Sequence, residues 1–272
     1  MDKPLSGWRV LVPRARHQAQ QMVELLESCG ATAVTVPTIE IARPIDETPI
    51  RQAVLELIAG EFTWLILTSG NAVTALKKYV VEAAWCQHVH PGEVIAAINR
   101  GTHVAVVGRK TAQAARDLGF EPILSPPITE QNAAGLVSVF PPADVQSGGV
   151  DTRVLLPRAD IATNVVASGV TARGWRVTDV IAYRTVAAAP PSPGVIAAVQ
   201  DGDIDAICVT SGSTIRNLVA ATGKPHPGTM IACIGPMAAA ACRECGIRVD
   251  VVPKVAEIPA LIDALAAAAR TR

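Results

Sequence analysis

The sequence predicts an α/β protein of two related domains, each with a parallel sheet flanked by helices, joined by a two-stranded ribbon linker. Three observations predict this fold. Short apolar strands alternate with helical patterns, long segments of the chain repeat one another, and two longer strands depart from the alternation. Apolar strands separated by helices are typical of parallel sheets that are covered on both faces.

Ten strands are expected, and most neighbouring strands are separated by a helical pattern. They lie at residues 8–13, 33–41, 64–68, 103–107, 121–125, 153–157, 176–186, 205–210, 230–234 and 249–253. In the first interval, Met22, Leu26 and Cys29 recur at helical spacing, and Gly30 ends the predicted helix.

The two halves of the chain repeat one another in order. Residues 9–15 (RVLVPRA) match 153–159 (RVLLPRA), and residues 65–73 (LILTSGNAV) match 207–215 (ICVTSGSTI). Residues 103–119 likewise parallel 230–246, although the first copy carries an insertion around Trp85 to Arg100 that we expect to form a surface loop. So long a spacing indicates duplicated domains, because solenoid repeats run about 20–50 residues.

The two longer strands, 34–42 (VTVPTIEIA) and 176–186 (RVTDVIAYRTV), alternate apolar and polar residues, which favours an exposed ribbon. They occupy the same point in each copy, so the chain is expected to leave one domain through the first and to return through the second. The expected ranges are 1–36 and 187–272 for the discontinuous domain, 37–44 and 176–186 for the linker, and 45–175 for the inserted domain.

Composition argues against several classes of protein. The 272 residues are half apolar, and 24 basic residues balance 24 acidic ones, so general attraction to nucleic acid or to an acidic membrane is not expected. Neither a leader peptide nor a long apolar span is evident, which predicts a cytoplasmic protein. The Cys242–Cys245 spacing falls late in a predicted helix, which favours buried structural thiols, and His88 and His90 are interpreted as loop residues. No metal and no cofactor are expected.

The repeated Thr-Ser-Gly corner carries the clearest functional signal. A strand followed by such a turn and a helix aims free backbone N–H groups at an anion, and two copies favour a substrate with many negative charges. Serine and threonine at these places also act as N-caps, and the arginines at strand ends are either surface charges or bidentate carboxylate ligands. The predicted substrate-binding residues are Arg14, Thr68, Ser69, Gly70, Asn71, Gly108, Thr111, Arg158, Thr210, Ser211, Gly212, Ser213, Gly235 and Pro236.

A family resemblance rests on the order of several segments. These are VLVPRA, VPTIEI, WLILTSGNAV, VAVVG, RVLLPRAD, VIAYRTV, ICVTSGSTIRNL, ACIGP and the final IPAL. Together they resemble the uroporphyrinogen-III synthases across essentially the whole chain. One departure is that Met237 and Ala238 follow the Gly-Pro corner, where some members of the family carry threonine.

The resemblance implies a cofactor-independent cyclising lyase. Its substrate is hydroxymethylbilane, an open-chain tetrapyrrole with eight carboxylates, which loses water to give an azafulvene. The terminal ring then attacks through its substituted carbon, and the resulting spiro intermediate fragments and recloses with that ring inverted. The resemblance further implies that a cleft between the domains holds the substrate and that Tyr183 helps the hydroxyl to leave, whereas the alternative for Tyr183 is packing across strands.

Other functions find less support in the sequence. It lacks the glycine pattern of a dinucleotide site, a P-loop and a hydrolase nucleophile elbow. The main alternative is a non-catalytic two-domain anion-binding or regulatory module, since fold alone does not decide function. A pair of receiver-like domains is less favoured because the strand ends offer Arg, Thr and Ser instead of clustered acids. A monomer is expected, and transient contact with the preceding pathway enzyme stays open.

Overall fold

The computed structural model describes residues 3–143 and 152–271. The chain divides into two compact units, the first formed by Met1–Glu40 and Val186–Arg272 and the second by Ile41–Thr185. Each unit is an open, predominantly parallel sheet with helices packed on its two faces.

The elements alternate along the chain as the apolar pattern predicts. The strands are β1 (Arg9–Val12), β2 (Thr32–Thr35), β3 (Ile39–Ala42), β4 (Trp64–Leu67), β5 (His103–Val106), β6 (Pro122–Leu124), β7 (Arg153–Ala159), β8 (Arg176–Ala187), β9 (Ala206–Val209) and β10 (Met230–Cys233). The helices are α1 (Arg16–Ser28), α2 (Thr48–Ile58), α3 (Gly70–Cys86), α4 (Pro91–Gly101), α5 (Arg109–Asp117), α6 (Ala133–Val139), α7 (Val165–Thr171), α8 (Pro193–Asp201), α9 (Gly212–Thr222), α10 (Pro236–Glu244) and α11 (Ile258–Ala269).

The sheet of unit 1 has the order β10-β9-β1-β2, with all three pairings parallel. Successive residues of β9 point to opposite faces, so Ile207 packs in one apolar cluster and Cys208 in the other. The last predicted strand, 249–253, is reduced to a single parallel bridge between Val251 and Ala232.

The sheet of unit 2 has the order β3-β8-β7-β4-β5-β6. Strand β4 pairs in parallel with β5 and β7, β5 with β6, and β7 with β8. Two apolar clusters cover its faces, one containing Leu65 and Leu67 and the other Trp64 and Ile66. Buried strands of this kind read as continuous apolar runs because both faces are covered.

The segments predicted to form an exposed ribbon pair more extensively than the sequence suggested. Strand β8 pairs with β7 from Arg176 to Tyr183, and the short strand β3 is its neighbour on the other side. The first segment divides into β2 and β3 around Pro37, which has no backbone N–H to donate to a sheet ladder.

The expected surface loop around Trp85 to Arg100 is wrong. Helix α3 continues to Cys86, and α4 occupies residues 91–101. Val94, Ile95 and Ile98 recur at helical spacing and are buried against the core, which explains why the segment folds as a helix. Within the described ranges no helix combines the length and the apolar character needed to span a bilayer.

Candidate functional site

In each unit the predicted site residues gather at one edge of the sheet. In unit 2, Ser69 follows β4, Gly108 follows β5 and Arg158 lies near the end of β7. Because these strands are parallel neighbours, their carboxyl ends meet at the same edge. The strand order reverses between β4 and β7, and ligands of open α/β sheets bind at such switch points.

Unit 1 repeats this arrangement. Arg14 follows β1, Ser211 follows β9 and Gly235 follows β10, again at the carboxyl ends of parallel neighbours. Here the strand order reverses between β1 and β9. The structure thus brings Arg14 and the second Thr-Ser-Gly corner to the same edge of one sheet.

The first corner, Thr68 to Asn71, is closed by a serine cap. Ser69 is extended, with φ −155° and ψ 159°, and its Oγ accepts a hydrogen bond from the Ala72 N–H at 3.1 Å. The N–H groups of Gly70 and Asn71 open helix α3 and so have no partner within it. Among the described residues neither finds a protein acceptor, and both donors are therefore available to an anion.

The second corner, Thr210 to Ser213, has nearly the same backbone. Ser211 has φ −158° and ψ 160°, and its Oγ accepts from the Thr214 N–H at 3.2 Å. A Cβ on Gly212 would lie 2.9 Å from the Cβ of Ala241, so the close packing of α9 on α10 requires glycine there. The agreement of the two caps confirms that the sequence repeat is also a structural repeat.

The corner at Gly108 is partly occupied by the protein itself. The Arg109 N–H, at the start of α5, donates to Oε1 of Gln131 at 3.3 Å. Thr111, predicted to bind substrate, is a buried residue of the same helix. Sequence reasoning missed Gln131, which lies 22 residues away and carries no motif.

The corner at Gly235 lacks the first backbone donor that its counterparts have. Gly235 is the N-cap of α10, and Pro236 at the first helical position has no N–H. The first donors are therefore those of Met237 and Ala238, and the Met237 side chain is 82% exposed. Backbone donors therefore remain at this corner, although it lacks the threonine side chain that some members of the family carry there.

The two predicted arginines have different environments. Nε of Arg158 lies 2.5 Å from Asp179, its Nη1 donates to the Ala162 carbonyl, and its Nη2 donates to Asn164. The hydrogen bond to Asp179 raises the pKa of Arg158. The side chain of Arg14 is half-buried, and this burial lowers its pKa. Across residues 3–143 and 152–271 no acidic group forms an ion pair with Arg14, which leaves its guanidinium available to a ligand.

Tyr183 lies at an irregularity of the sheet. Arg158 pairs with Ile181 but Ala159 pairs with Tyr183, so β8 carries one extra residue at this point. Such bulges change the direction of side chains and are frequent beside active sites. The Tyr183 ring is buried in the core of unit 2, and its hydroxyl lies 3.0 Å from the Ser69 Oγ. Burial is the main cause that raises the pKa of Tyr183.

Comparison with known proteins identifies the family. The sequence model described as "Uroporphyrinogen-III synthase HemD" matches residues 20–263. The chain belongs to the uroporphyrinogen-III synthase family. A uroporphyrinogen-III synthase of Synechococcus elongatus is 30% identical over 262 residues, which cover 92% of this chain and 91% of that protein. Another, of Chlorobaculum parvum, is 28% identical over 267 residues, covering 95% and 98%.

Solved structures of this family share the fold. A mutant uroporphyrinogen III synthase of Thermus thermophilus has a TM-score of 0.60 at 19% identity, covering 98% of this chain and 100% of that one. The uroporphyrinogen-III synthetase of Helicobacter pylori has a TM-score of 0.59 at 15% identity, covering 97% and 100%. These similarities confirm the predicted fold class.

Membership in the uroporphyrinogen-III synthase family makes the chain an enzyme of porphyrin and heme biosynthesis and a lyase of the cyclising type. The resemblance inferred from the order of the segments is confirmed. The alternative of a non-catalytic anion-binding or regulatory module is not favoured.

Proposed function

We propose that this chain converts hydroxymethylbilane into uroporphyrinogen III, with loss of water and inversion of the terminal pyrrole ring. The observation that carries the proposal beyond family membership is the pair of serine-capped corners. Each unit presents two leading amides at the carboxyl edge of its sheet, namely Gly70 and Asn71 in one and Gly212 and Ser213 in the other. A substrate with eight carboxylates offers acceptors to both sets.

The corners are proposed to act by positioning the substrate. Hydroxymethylbilane also closes without an enzyme, to the uninverted isomer I, so the protein has to favour one reactive geometry over another. Each helix start stabilises a bound anion by about 0.3–1 kcal/mol, and several contacts together restrict a flexible chain. Arg14 adds a guanidinium that can bind a carboxylate through two parallel hydrogen bonds.

Tyr183 is the proposed catalytic residue. A phenol can donate its proton to the hydroxyl that departs as water, and one proton-transfer group contributes roughly 10²–10⁴-fold to a rate. The hydrogen bond between Tyr183 and Ser69 supports this role, because it ties the phenol to a corner that is proposed to bind substrate. Burial raises the pKa of Tyr183, which favours the protonated phenol over the phenolate.

The remaining parts of the proposal concern context. The substrate-binding set is proposed to comprise the residues predicted from the sequence, from Arg14 to Pro236, acting without a cofactor or a metal. Residues 1–36 with 187–272 and residues 45–175 are proposed as the two domains, with residues 37–44 and 176–186 as the ribbon linker. A cytoplasmic monomer that meets the preceding pathway enzyme only transiently is the proposed working form.

The proposed function is tested with freshly prepared hydroxymethylbilane. Purified chain is added, the products are oxidised, and the porphyrin isomers I and III are separated and quantified. We expect isomer III to dominate. Its fraction of the product should rise with the amount of protein until the catalysed reaction is much faster than the spontaneous closure. If isomer I alone forms at every protein concentration, the proposed function is wrong.

A further inference from the structure

The Ser69 hydroxyl has two hydrogen-bond partners, a helix amide and the Tyr183 phenol. Its Oγ accepts the Ala72 N–H at 3.1 Å, which caps helix α3, and the same atom lies 3.0 Å from the Tyr183 hydroxyl. The cap belongs to the corner and the phenol belongs to β8, so one serine connects the start of α3 to the phenol.

The duplicated corner shows that the second contact is not part of the cap. Ser211 caps α9 in the same way, but its Oγ lies 3.0 Å from Ser213 Oγ and 2.7 Å from Thr214 Oγ1. In the first copy the equivalent positions are Asn71 and Ala72, which carry no hydroxyl. The Ser69 hydroxyl is therefore left for Tyr183.

Either hydroxyl could donate in the contact between Ser69 and Tyr183, and the cap favours Ser69 as the donor. A serine hydroxyl has one proton, and the Ala72 N–H already occupies a lone pair of Ser69 Oγ. The positive potential at the first turn of α3 favours an orientation of the Ser69 hydroxyl in which the oxygen faces the helix and the proton points away from it. Ser69 then donates to the phenol oxygen of Tyr183, and the phenol proton is free for another acceptor.

We propose that Ser69 is a positioning residue that donates a hydrogen bond to Tyr183 and so directs the phenol proton toward the departing hydroxyl of the substrate. This inference rests on the proposed function and deepens it. The N-terminus of α3 acts on the phenol through the serine. In the second copy of the corner, the Ser211 hydroxyl caps α9 and contacts Ser213 and Thr214 instead of a phenol.

The proton transfer balances over one turnover. The phenol O–H bond breaks as the proton joins the leaving hydroxyl, the carbon–oxygen bond breaks, and water departs with the electron pair. Tyr183 is then a phenolate, which the Ser69 O–H stabilises by its hydrogen bond. The ring that recloses has to lose one proton to become aromatic, and that proton returns to Tyr183. No oxidant or reductant is needed.

The bond is tested by titrating Tyr183 alone. The chain has two tyrosines, and the Tyr79 hydroxyl is buried without a hydrogen-bond partner within the described residues, so Tyr79→Phe should be tolerated. In that background, fluorotyrosine lowers the phenol pKa enough to titrate it while circular dichroism confirms the fold. The absorbance of the phenolate is followed in the parent, in Ser69→Ala and in Ser211→Ala.

We expect Ser69→Ala to raise the pKa of Tyr183 by about one unit, because a hydrogen bond that stabilises the phenolate is lost. Ser211→Ala removes an equivalent cap and should leave that pKa unchanged. The nearby Asp160 carboxylate, which itself raises the pKa, is unaltered in all three proteins. An unchanged or lowered pKa in Ser69→Ala, or an equal shift in both variants, overturns the inference.

Turnover then separates the inference from the proposed function. In the wild-type background, Ser69→Ala should lower kcat roughly tenfold, and Ser69→Thr should retain most of the wild-type kcat. In a Tyr183→Phe background, adding Ser69→Ala should lower kcat little further. If the pKa shifts but Tyr183→Phe turns over normally, the catalytic role of Tyr183 fails and the positioning contact stands. If Tyr183→Phe is slow but the pKa does not shift, the inference fails alone.

Discussion

The amide oxygen of Gln131 accepts a hydrogen bond from the Arg109 backbone N–H at 3.3 Å, at the first turn of helix α5. Gln131 is exposed, and a Cβ added to Gly108 would lie 3.2 Å from the same oxygen. At this corner the leading amide of the helix already has an internal acceptor, unlike the leading amides of Gly70 and Gly212 within the described residues. A carboxylate that binds the Arg109 N–H has to displace the glutamine.

Two substitutions of Gln131 should therefore shift KM in opposite directions. Gln131→Ala frees the Arg109 N–H and is expected to lower KM roughly twofold to fivefold, the range of a favourable helix-end contact. Gln131→Glu places a competing carboxylate at the same donor and is expected to raise KM. Steady-state kinetics with hydroxymethylbilane measure both, and equal KM values in the two variants would show that this corner does not bind substrate.

Arg14 and Arg158 should respond differently to truncation. Arg14→Ala is expected to raise KM by roughly tenfold or more, because a charged hydrogen-bond donor to a carboxylate is lost, while stability changes little. Arg158→Ala removes the side chain that binds Asp179, Ala162 and Asn164, and is expected to lower the free energy of unfolding by about 1–3 kcal/mol.

Kinetics and urea unfolding of both arginine variants test this contrast, with Arg14→Lys as a control that keeps the charge but not the planar fork. The lysine variant should fall between wild type and alanine in KM. If Arg14→Ala binds substrate normally and is instead destabilised, the half-buried guanidinium serves the fold and not the ligand.

The ion pair between Arg153 and Glu56 predicts a loss of stability in acid. Hydrogen bonds from Gln52 and then Arg153 hold the pKa of Glu56 below its ordinary value of 4.5. A carboxyl whose pKa is lower in the folded state contributes stability above its unfolded pKa and loses that contribution as pH falls through the folded pKa.

Glu56→Gln should accordingly be less stable than wild type at pH 7, and the difference should shrink as pH falls below 4.5. Unfolding in urea at several pH values measures it. Glu121→Gln, an exposed change outside the ion pairs of the described residues, is the matched control and should track wild type throughout. A difference between Glu56→Gln and wild type that persists undiminished in strong acid would contradict this account.

The cysteines are expected to differ sharply in reactivity. Cys86 is exposed, whereas Cys208, Cys233 and Cys242 are buried, and burial raises the pKa of Cys208 to about 12. Because the thiolate is the reactive form, iodoacetamide should modify Cys86 quickly and the buried three only after unfolding. Peptide mass spectrometry gives the order, and a disulfide between Cys242 and Cys245 after mild oxidation would revive the redox interpretation.

Much of the fold could be predicted because the strands are buried on both faces. Runs such as Trp64–Leu67 and Ala206–Val209 are apolar throughout, and a helical pattern follows each of them. Their ends could be placed within a residue or two because the following serine is also the helix cap. The positions of the repeated corners could therefore be predicted from the sequence repeat alone.

The parts that could not be predicted depend on contacts between distant residues. Gln131 reaches the start of α5 from a separate turn, and Asp179 reaches Arg158 from the neighbouring strand. Neither residue belongs to a motif. The bond between Ser69 and Tyr183 joins residues 114 positions apart, and Tyr183 lies at a register shift of β8 that no local pattern predicts.

The central claim is that backbone amides at the carboxyl edges of the two sheets bind the carboxylates of the substrate. The most direct test is an NMR titration of ¹⁵N-labelled chain with uroporphyrin III, a stable relative of the product with the same carboxylates. The account predicts saturable shifts of the Gly70, Asn71, Gly212 and Ser213 amides. Shifts confined to the opposite, amino-terminal edges of the sheets, with these four amides unmoved, would contradict it.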